Sequence, residues 1–235
     1  MQRYFIEGND FNLNAEQIKH IVKVMRMEID DEIEVVFNKE CFICKIVETS
    51  PFKIEKVSKL EKSPELNVDI TLLYCLPKGD KLDLVIQKAT EIGVRNIVLV
   101  QSSRCVCKFK KEDFDKKITR FKKIATEASE QSHRLAIPEI KDIIDYKDIK
   151  KYHFDYAYIA YENEENGTFI KDLKEVTKGQ SIGIIIGSEG GFSSQEVDYA
   201  IECGYKSVTL GKRILRSETA CIYALSVISY LLEDK

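Results

Sequence analysis

The stretch that most restricts the fold is Ser181 to Gly187, Ser-Ile-Gly-Ile-Ile-Ile-Gly, which is apolar at consecutive rather than alternate positions. A strand with one wet face alternates. A continuous apolar run must be covered on both sides, as in the parallel sheet of an α/β protein. Glycines at 187, 190 and 191 follow, and then Ser193-Ser194-Gln195-Glu196, the Ser-x-x-Glu form of a capping box. That pattern starts a helix, which runs toward Gly204. Segments of the same kind alternate around it. Val68 to Cys75, Asn96 to Gln101, Phe154 to Tyr161 and Lys206 to Leu210 are expected strands. Lys81 to Ile92, stopped by Gly93, and Glu112 to Ser132 are expected helices, and Ser217 is expected to cap a last helix to Leu232. Strands alternating with helices imply a parallel α/β sheet.

The first sixty-odd residues have a different rhythm. Arg3 to Ile6, Glu32 to Phe37, Cys41 to Val47 and Phe52 to Leu60 read as strands. Asn14 to Met27 carries apolar residues at near-helical spacing (Ile18, Ile21, Val22, Val24, Met25) and is expected to be one helix. The polar, proline-containing Glu61 to Glu65 is the best boundary. We therefore expect a small β-rich domain over 1–66, in the manner of a barrel, and an α/β domain over 67–235.

Charge and cysteine content limit the partners. A net charge of −3 is not that of a typical polyanion binder, so any nucleic-acid contact must be local. One local excess exists. From Arg104 to Lys123 there are nine Lys or Arg against three acids, which suits phosphate and equally suits a solvated surface. Seven cysteines are an odd number, and the N-terminal residues lack both a basic region and an apolar core for a leader, so free thiols in a cytoplasmic protein are expected. Cys41-x-x-Cys44 has no second pair to complete a zinc site, and the three histidines (20, 133 and 153) suggest neither a metal site nor a Ser/His/Asp arrangement. Ala220 to Leu232 has 11 hydrophobic residues of 13, too short to cross a bilayer but apolar all round.

Two glycine-bearing turns carry the functional signal. The first is Gly187 to Gly191, at the carboxyl end of the apolar strand, where ligands bind in open α/β sheets. The second is Leu210-Gly211-Lys212-Arg213-Ile214-Leu215-Arg216, leading into the last helix. Together they would form walls of one pocket lined by backbone amides and carbonyls, suited to adenine. Taken singly, each is also explained as an ordinary tight turn, and neither has the spacing of a dinucleotide or triphosphate loop.

The two motifs, Ile-Gly-Ser-Glu-Gly-Gly-Phe-Ser and Leu-Gly-Lys-Arg-Ile-Leu-Arg-Ser-Glu-Thr-Ala, resemble the signature of the ribosomal RNA small subunit methyltransferase E family, within the SPOUT (trefoil-knot) methyltransferases. The likeness extends through Lys78-Gly-Asp-Lys, Gln87-Lys-Ala-Thr-Glu-Ile-Gly-Val, Glu127-Ala-Ser-Glu-Gln-Ser-His-Arg134 and His20-Ile-Val-Lys-Val-Met-Arg26. Ser188 stands where the family usually has Pro, and Met25 where Leu is common. The resemblance implies an α/β knot domain behind a PUA-like β-barrel, a homodimer joined through the last helix, and S-adenosyl-L-methionine as cofactor. The implied reaction is methylation of uridine N3 in small-subunit ribosomal RNA. The same fold could instead serve a ribose 2′-O-methyltransferase, or a non-catalytic RNA-binding or ribosome-assembly protein. Neither a metal nor a membrane is expected.

The resemblance also names residues. Tyr161, Glu162, Ile186, Gly187, Glu189, Gly190, Gly191, Leu210, Gly211, Ile214, Leu215, Arg216, Thr219 and Ala220 are expected at the cofactor. Arg216 is expected to stabilise a forming uracil anion, with Glu189 or Glu218 as a candidate base; for Glu218 the plainer role is helix-N-terminus electrostatics. Arg3, Lys19, Lys23, Arg26, Lys78, Lys81, Arg104 and Arg134 are expected RNA contacts, with an ordinary solvated surface as the competing account.

Overall fold

The computed structural model describes residues 1–6, 8, 10–107, 111–165 and 168–235, and the side chains of all of these but 111–113 and 115. Within the basic Arg104–Lys123 segment, Lys108 and Lys110, and the side chains of Lys111, Glu112, Asp113 and Asp115, thus lie outside the described residues. The chain forms two compact units, one of residues 1–65 with 126–136, the other of 66–125 with 137–235.

The N-terminal unit is built on a four-stranded sheet. Strand β1 (Arg3–Phe5) runs parallel to β2 (Glu32–Phe37), which is antiparallel to β3 (Glu40–Thr49), itself antiparallel to β4 (Phe52–Lys59). Tyr4, Ile6, Ile21, Ile33, Val35, Cys44 and Ile46 form its core. The expected helix over 14–27 is much shorter. Asn14 and Gln17 form a reciprocal capping box, α1 spans Ala15–Lys19, and the chain then widens into one π-turn over His20–Val24. Only Ile21 of the apolar set is buried, while Val24 and Met25 are exposed. Four β-branched residues in seven positions disfavour a continued helix, and Arg26 leaves it at φ 55°.

Residues 126–136 belong to this unit through polar contacts rather than through the sheet. Arg3 Nε donates to Glu34 Oε2 (2.8 Å), and its Nη1 donates to the carbonyls of His133 and of Arg134, the latter at 2.9 Å. Glu34 also holds His133 Nδ1 at 2.8 Å, and Glu65 pairs with Arg134 at 2.7 Å while accepting from the Leu135 amide. The Arg3 side chain is 4% exposed and that of Arg134 5%. Both were expected on RNA. Both are instead internal struts, because a guanidinium bonded within the fold and with almost no access to solvent is poorly placed to reach a phosphate.

The second unit is a parallel sheet. Its strands are β5 (Asp69–Cys75), β6 (Asn96–Gln101), β7 (Glu139–Ile140), β8 (Ile144–Asp145), β9 (Tyr156–Ala160), β10 (Ser181–Ile186) and β11 (Lys206–Val208), in the order β11-β9-β10-β5-β6-β7, with β8 also on β6. Its helices are α2 (Lys81–Glu91), α3 (Lys111–Gln131, whose last turns cluster with the N-terminal unit), α4 (Phe169–Glu175), α5 (Ser194–Glu202) and α6 (Ser217–Leu232). The apolar run is β10, third from the β11 edge and flanked by β9 and β5, with Ile182, Ile184, Ile185 and Ile186 all buried. Gly183 is required there: a Cβ would fall 2.2 Å from the Phe154 ring. The two-residue strands β7 and β8, the 3-10 turn Tyr146–Lys151 and the short α4 were not foreseen. Among the described residues, no helix is long and apolar enough to cross a membrane.

The last helix begins differently from expectation. Ser217 is its first residue, not its cap; Arg216 occupies the cap position and makes no side-chain cap bond. Ser217 Oγ lies 2.9 Å from Tyr74 Oη on β5 and bonds the Gly187 carbonyl. One hydroxyl proton cannot serve both oxygens. A carbonyl can only accept, so Ser217 donates to Gly187 and the Tyr74 proton fills the Ser217 lone pair.

Candidate active site

The carboxyl ends of β9, β10 and β11 meet at a cavity of about 370 Å³, within the range of small-molecule sites. Ala160, Tyr161 and Glu162 line it after β9; Ile186 and residues 187–192 line it after β10; Thr209, Leu210, Gly211, Arg213, Ile214, Leu215 and Arg216, with Ser217 and Ala220 of α6, line it after β11. The two glycine turns thus share one hollow. Of the residues expected at a cofactor, all but Thr219 face it; Thr219 is exposed on α6 and is not part of the lining. Ser188 and Arg213 lie within the two expected turns, although the expected cofactor set does not name them; Ala160, Phe192, Thr209 and Ser217 each adjoin a residue of that set in sequence.

Glycine is needed here for space as well as conformation. Gly191 sits at φ 63°, and a Cβ there would lie 2.7 Å from Glu162 Oε1. A Cβ at Gly187 would press on the Phe192 ring at 3.1 Å, and one at Gly190 would meet Arg104 at 3.0 Å. The turn is therefore walled on its outer side, and its backbone is what the cavity presents. Phe192 is buried against Tyr146, and Ser193 opens α5 with the expected capping box. The capping Glu196 does more than cap, since Oε1 also accepts from the Ser103 amide at 2.8 Å. Arg104, exposed beyond it, donates to the Gly190 carbonyl at 3.0 Å.

The two candidate bases are both turned to a lysine. Lys81 Nζ lies 2.9 Å from Glu189 Oε1 and 3.2 Å from Glu218 Oε2. Glu189 also accepts from the Lys78 amide at 3.1 Å. Burial pushes the Glu189 carboxyl upward, but the Lys81 ammonium and the backbone amides outweigh it and hold the group below the usual carboxylate range. A carboxylate so stabilised is a poor proton acceptor. Glu218 is not part of the cavity lining. Lys81, expected on RNA, is committed to these acids, whereas Arg216 is exposed at the cavity. Lys19, Lys23, Arg26 and Lys78 are exposed.

A family model described as an RNA methyltransferase domain matches residues 64–229, and one described as an RNA methyltransferase PUA domain matches 13–57. Ribosomal RNA small subunit methyltransferase E of Bacillus subtilis is 37% identical over 99% of this chain and 98% of its own length. That of Mesomycoplasma hyopneumoniae is 35% identical over 96% and 98%. The crystal structure of ribosomal RNA small subunit methyltransferase E from Neisseria gonorrhoeae, bound to S-adenosyl methionine, superposes with a TM-score of 0.86 at 28% identity, covering 98% of each chain.

Proposed function

Because the chain belongs to the ribosomal RNA small subunit methyltransferase E family, we propose that it transfers a methyl group from S-adenosylmethionine to N3 of a uridine in small-subunit ribosomal RNA. Its α/β unit has the parallel sheet of the SPOUT methyltransferases, and a PUA domain precedes it. The observation that carries the proposal is the convergence of both glycine turns and the start of α6 on one cavity. The cavity suits the methyl donor: three strand ends offer backbone polar groups and small apolar walls, and side chains at 187, 190 and 191 would disrupt it.

When bound, the donor supplies an electrophilic methyl on a sulfonium. The residues of this chain supply position. Holding reactants in attack geometry can contribute up to roughly 7–11 kcal/mol. Uracil N3 is protonated, and its proton must leave before or during transfer. Arg216, a fixed cation at the cavity mouth, stabilises the forming uracil anion and thereby lowers the barrier to that loss. Glu189 and Glu218 are assigned to structure, not to proton transfer. N3 is hidden in a base pair, so the target nucleotide must be unpaired or extruded. Lys19, Lys23 and Arg26, with Lys78 and Arg104 on the α/β unit, are the cations assigned to phosphate. The exposed Ile170, Tyr223 and Tyr230 beside Val227 and Leu231, on α4 and α6, are assigned to a homodimer interface.

Nucleoside mass spectrometry of ribosomal RNA from cells with and without the protein tests the reaction. Loss of one 3-methyluridine is expected. A lost ribose methylation, or an unchanged profile, overturns the N3 assignment.

A further inference from the structure

Lys81 is the first residue of α2, where the helix dipole disfavours a cation. Asp80 before it makes no cap bond, so the start of α2 gains nothing from either residue as a cap. The placement makes sense only through what the ammonium touches. It bridges Glu189, in the glycine turn after β10, and Glu218, in the first turn of α6. The Lys78 amide holds the same Glu189 carboxylate, so the segment leading into α2 grips the turn twice. Glu218 Oε2 is buried, and among the described residues the Lys81 ammonium is what faces its charge. On the other side of the turn, Ser217 already ties α6 to the Gly187 carbonyl. The two cavity walls are therefore joined at two points, one hydroxyl and one ammonium.

We propose that Lys81 is a positioning residue that fixes the glycine turn against α6 in the conformation that receives the methyl donor. The proposal rests on the donor assignment made above. The physical need is clear. A turn with three glycines in five residues loses much conformational freedom when it orders around a ligand, and a turn ordered beforehand binds more tightly. Lys81 itself is not in the cavity lining, so it acts through Glu189 and Glu218, not on the ligand.

The test is calorimetric titration of S-adenosylmethionine into the full-length protein, paired with thermal melting. K81M is expected to weaken donor binding about tenfold while the melting temperature changes by only a few degrees. K81R, whose forked guanidinium can still reach two carboxylates, is expected to restore affinity to within about threefold of the parent. E218Q, which breaks one arm, is expected to fall between, and the K81M/E218Q double variant to lose less than the sum of the two single losses. Parent-like affinity in K81M overturns the clamp. Affinity lost equally in K81M and K81R also overturns it, since the site would then require lysine itself. Absence of binding by the parent protein overturns the donor assignment instead, which separates the two failures.

Discussion

Two clusters of charge, one in each unit, look alike in composition and differ in purpose. In the N-terminal unit, Arg3 sits between Glu34 and the carbonyls of His133 and Arg134, with its side chain 4% exposed. In the α/β unit, Lys81 sits between Glu189 and Glu218, with its side chain 32% exposed. The first joins chain segments some 130 residues apart and is sealed from water. The second joins two turns at the edge of a cavity, and its ammonium stays partly open to solvent. Solvent decides the consequence. A sealed ion pair that loses one partner leaves a stranded charge, whereas a wet pair contributes little to stability and can matter mainly for shape.

The sharpest way to break this comparison is Arg3→Met. It leaves Glu34 with His133 alone and two carbonyls without their donor, and urea unfolding is expected to show a loss of about 3–5 kcal/mol. Donor affinity of the folded fraction should stay within about twofold of the parent. A stability loss below about 1 kcal/mol would make the two clusters equivalent and remove the distinction.

Gly191→Ala should show the reverse pattern. A left-handed alanine is strained by roughly 1–2 kcal/mol, and its methyl would also displace Glu162. Calorimetry should show donor affinity reduced by at least about tenfold, with a smaller effect on melting. Ser217→Ala comes next. Removing the hydroxyl leaves the Gly187 carbonyl and the Tyr74 hydroxyl without their bonds, which costs about 1–3 kcal/mol. The loss is expected to divide between stability and donor affinity, since Gly187 lines the cavity. Unchanged affinity in both variants would detach the turn from ligand binding.

The last effect is one of pH, and it belongs to the N-terminal unit. Burial pushes Glu130 up to about 7, with help from the Glu127 charge and against a hydrogen bond from the Phe5 amide. A carboxyl raised in the folded state stabilises below its unfolded value of 4.5, and that contribution is lost as pH rises through about 7. Glu34 has the opposite sign. Burial pushes it up, but Arg3 and His133 outweigh burial and hold it below 4.5. Its contribution is complete above 4.5 and is lost as pH falls further. Urea midpoints of E130Q should therefore lose the decline seen in the parent between pH 4.5 and 7, and E34Q should differ least from the parent at the lowest pH. A parent curve flat from pH 4.5 to 7 would remove Glu130 from the account.

Much of the architecture was legible because it is written in local patterns. The apolar run at 181–187, the Ser193/Glu196 capping box and the helix-ending Gly93 at φ 103° each depend on residues a few positions apart. The cavity lining was legible for a similar reason, since glycine turns at strand ends are local signals whose meeting follows from the sheet. Roles set by distant partners were not legible. Ser217 looks like a cap, but its partners are Tyr74 and Gly187, the former 143 residues away. Arg3, Arg134 and Lys81 read as free cations because sequence displays a charge without displaying what neutralises it. The π-turn after α1 escaped notice because β-branched residues at near-helical spacing imitate a longer helix. Strands of two residues, β7 and β8, are too short to show any period.

The division of the N-terminal unit bears on its biosynthesis. Its sheet is complete in sequence by Lys59, yet Arg3, Glu34 and Glu65 find their partners only at 133–135. While the nascent chain emerges, residues 66–125 of the other unit must be translated before those partners exist, a delay on the order of several seconds. During that interval Arg3 and Glu34 have only each other, and Glu65 lacks the guanidinium and amide it will hold. A fragment ending at residue 65 is accordingly expected to remain incompletely folded, and its maturation to be coupled to synthesis of the segment that follows.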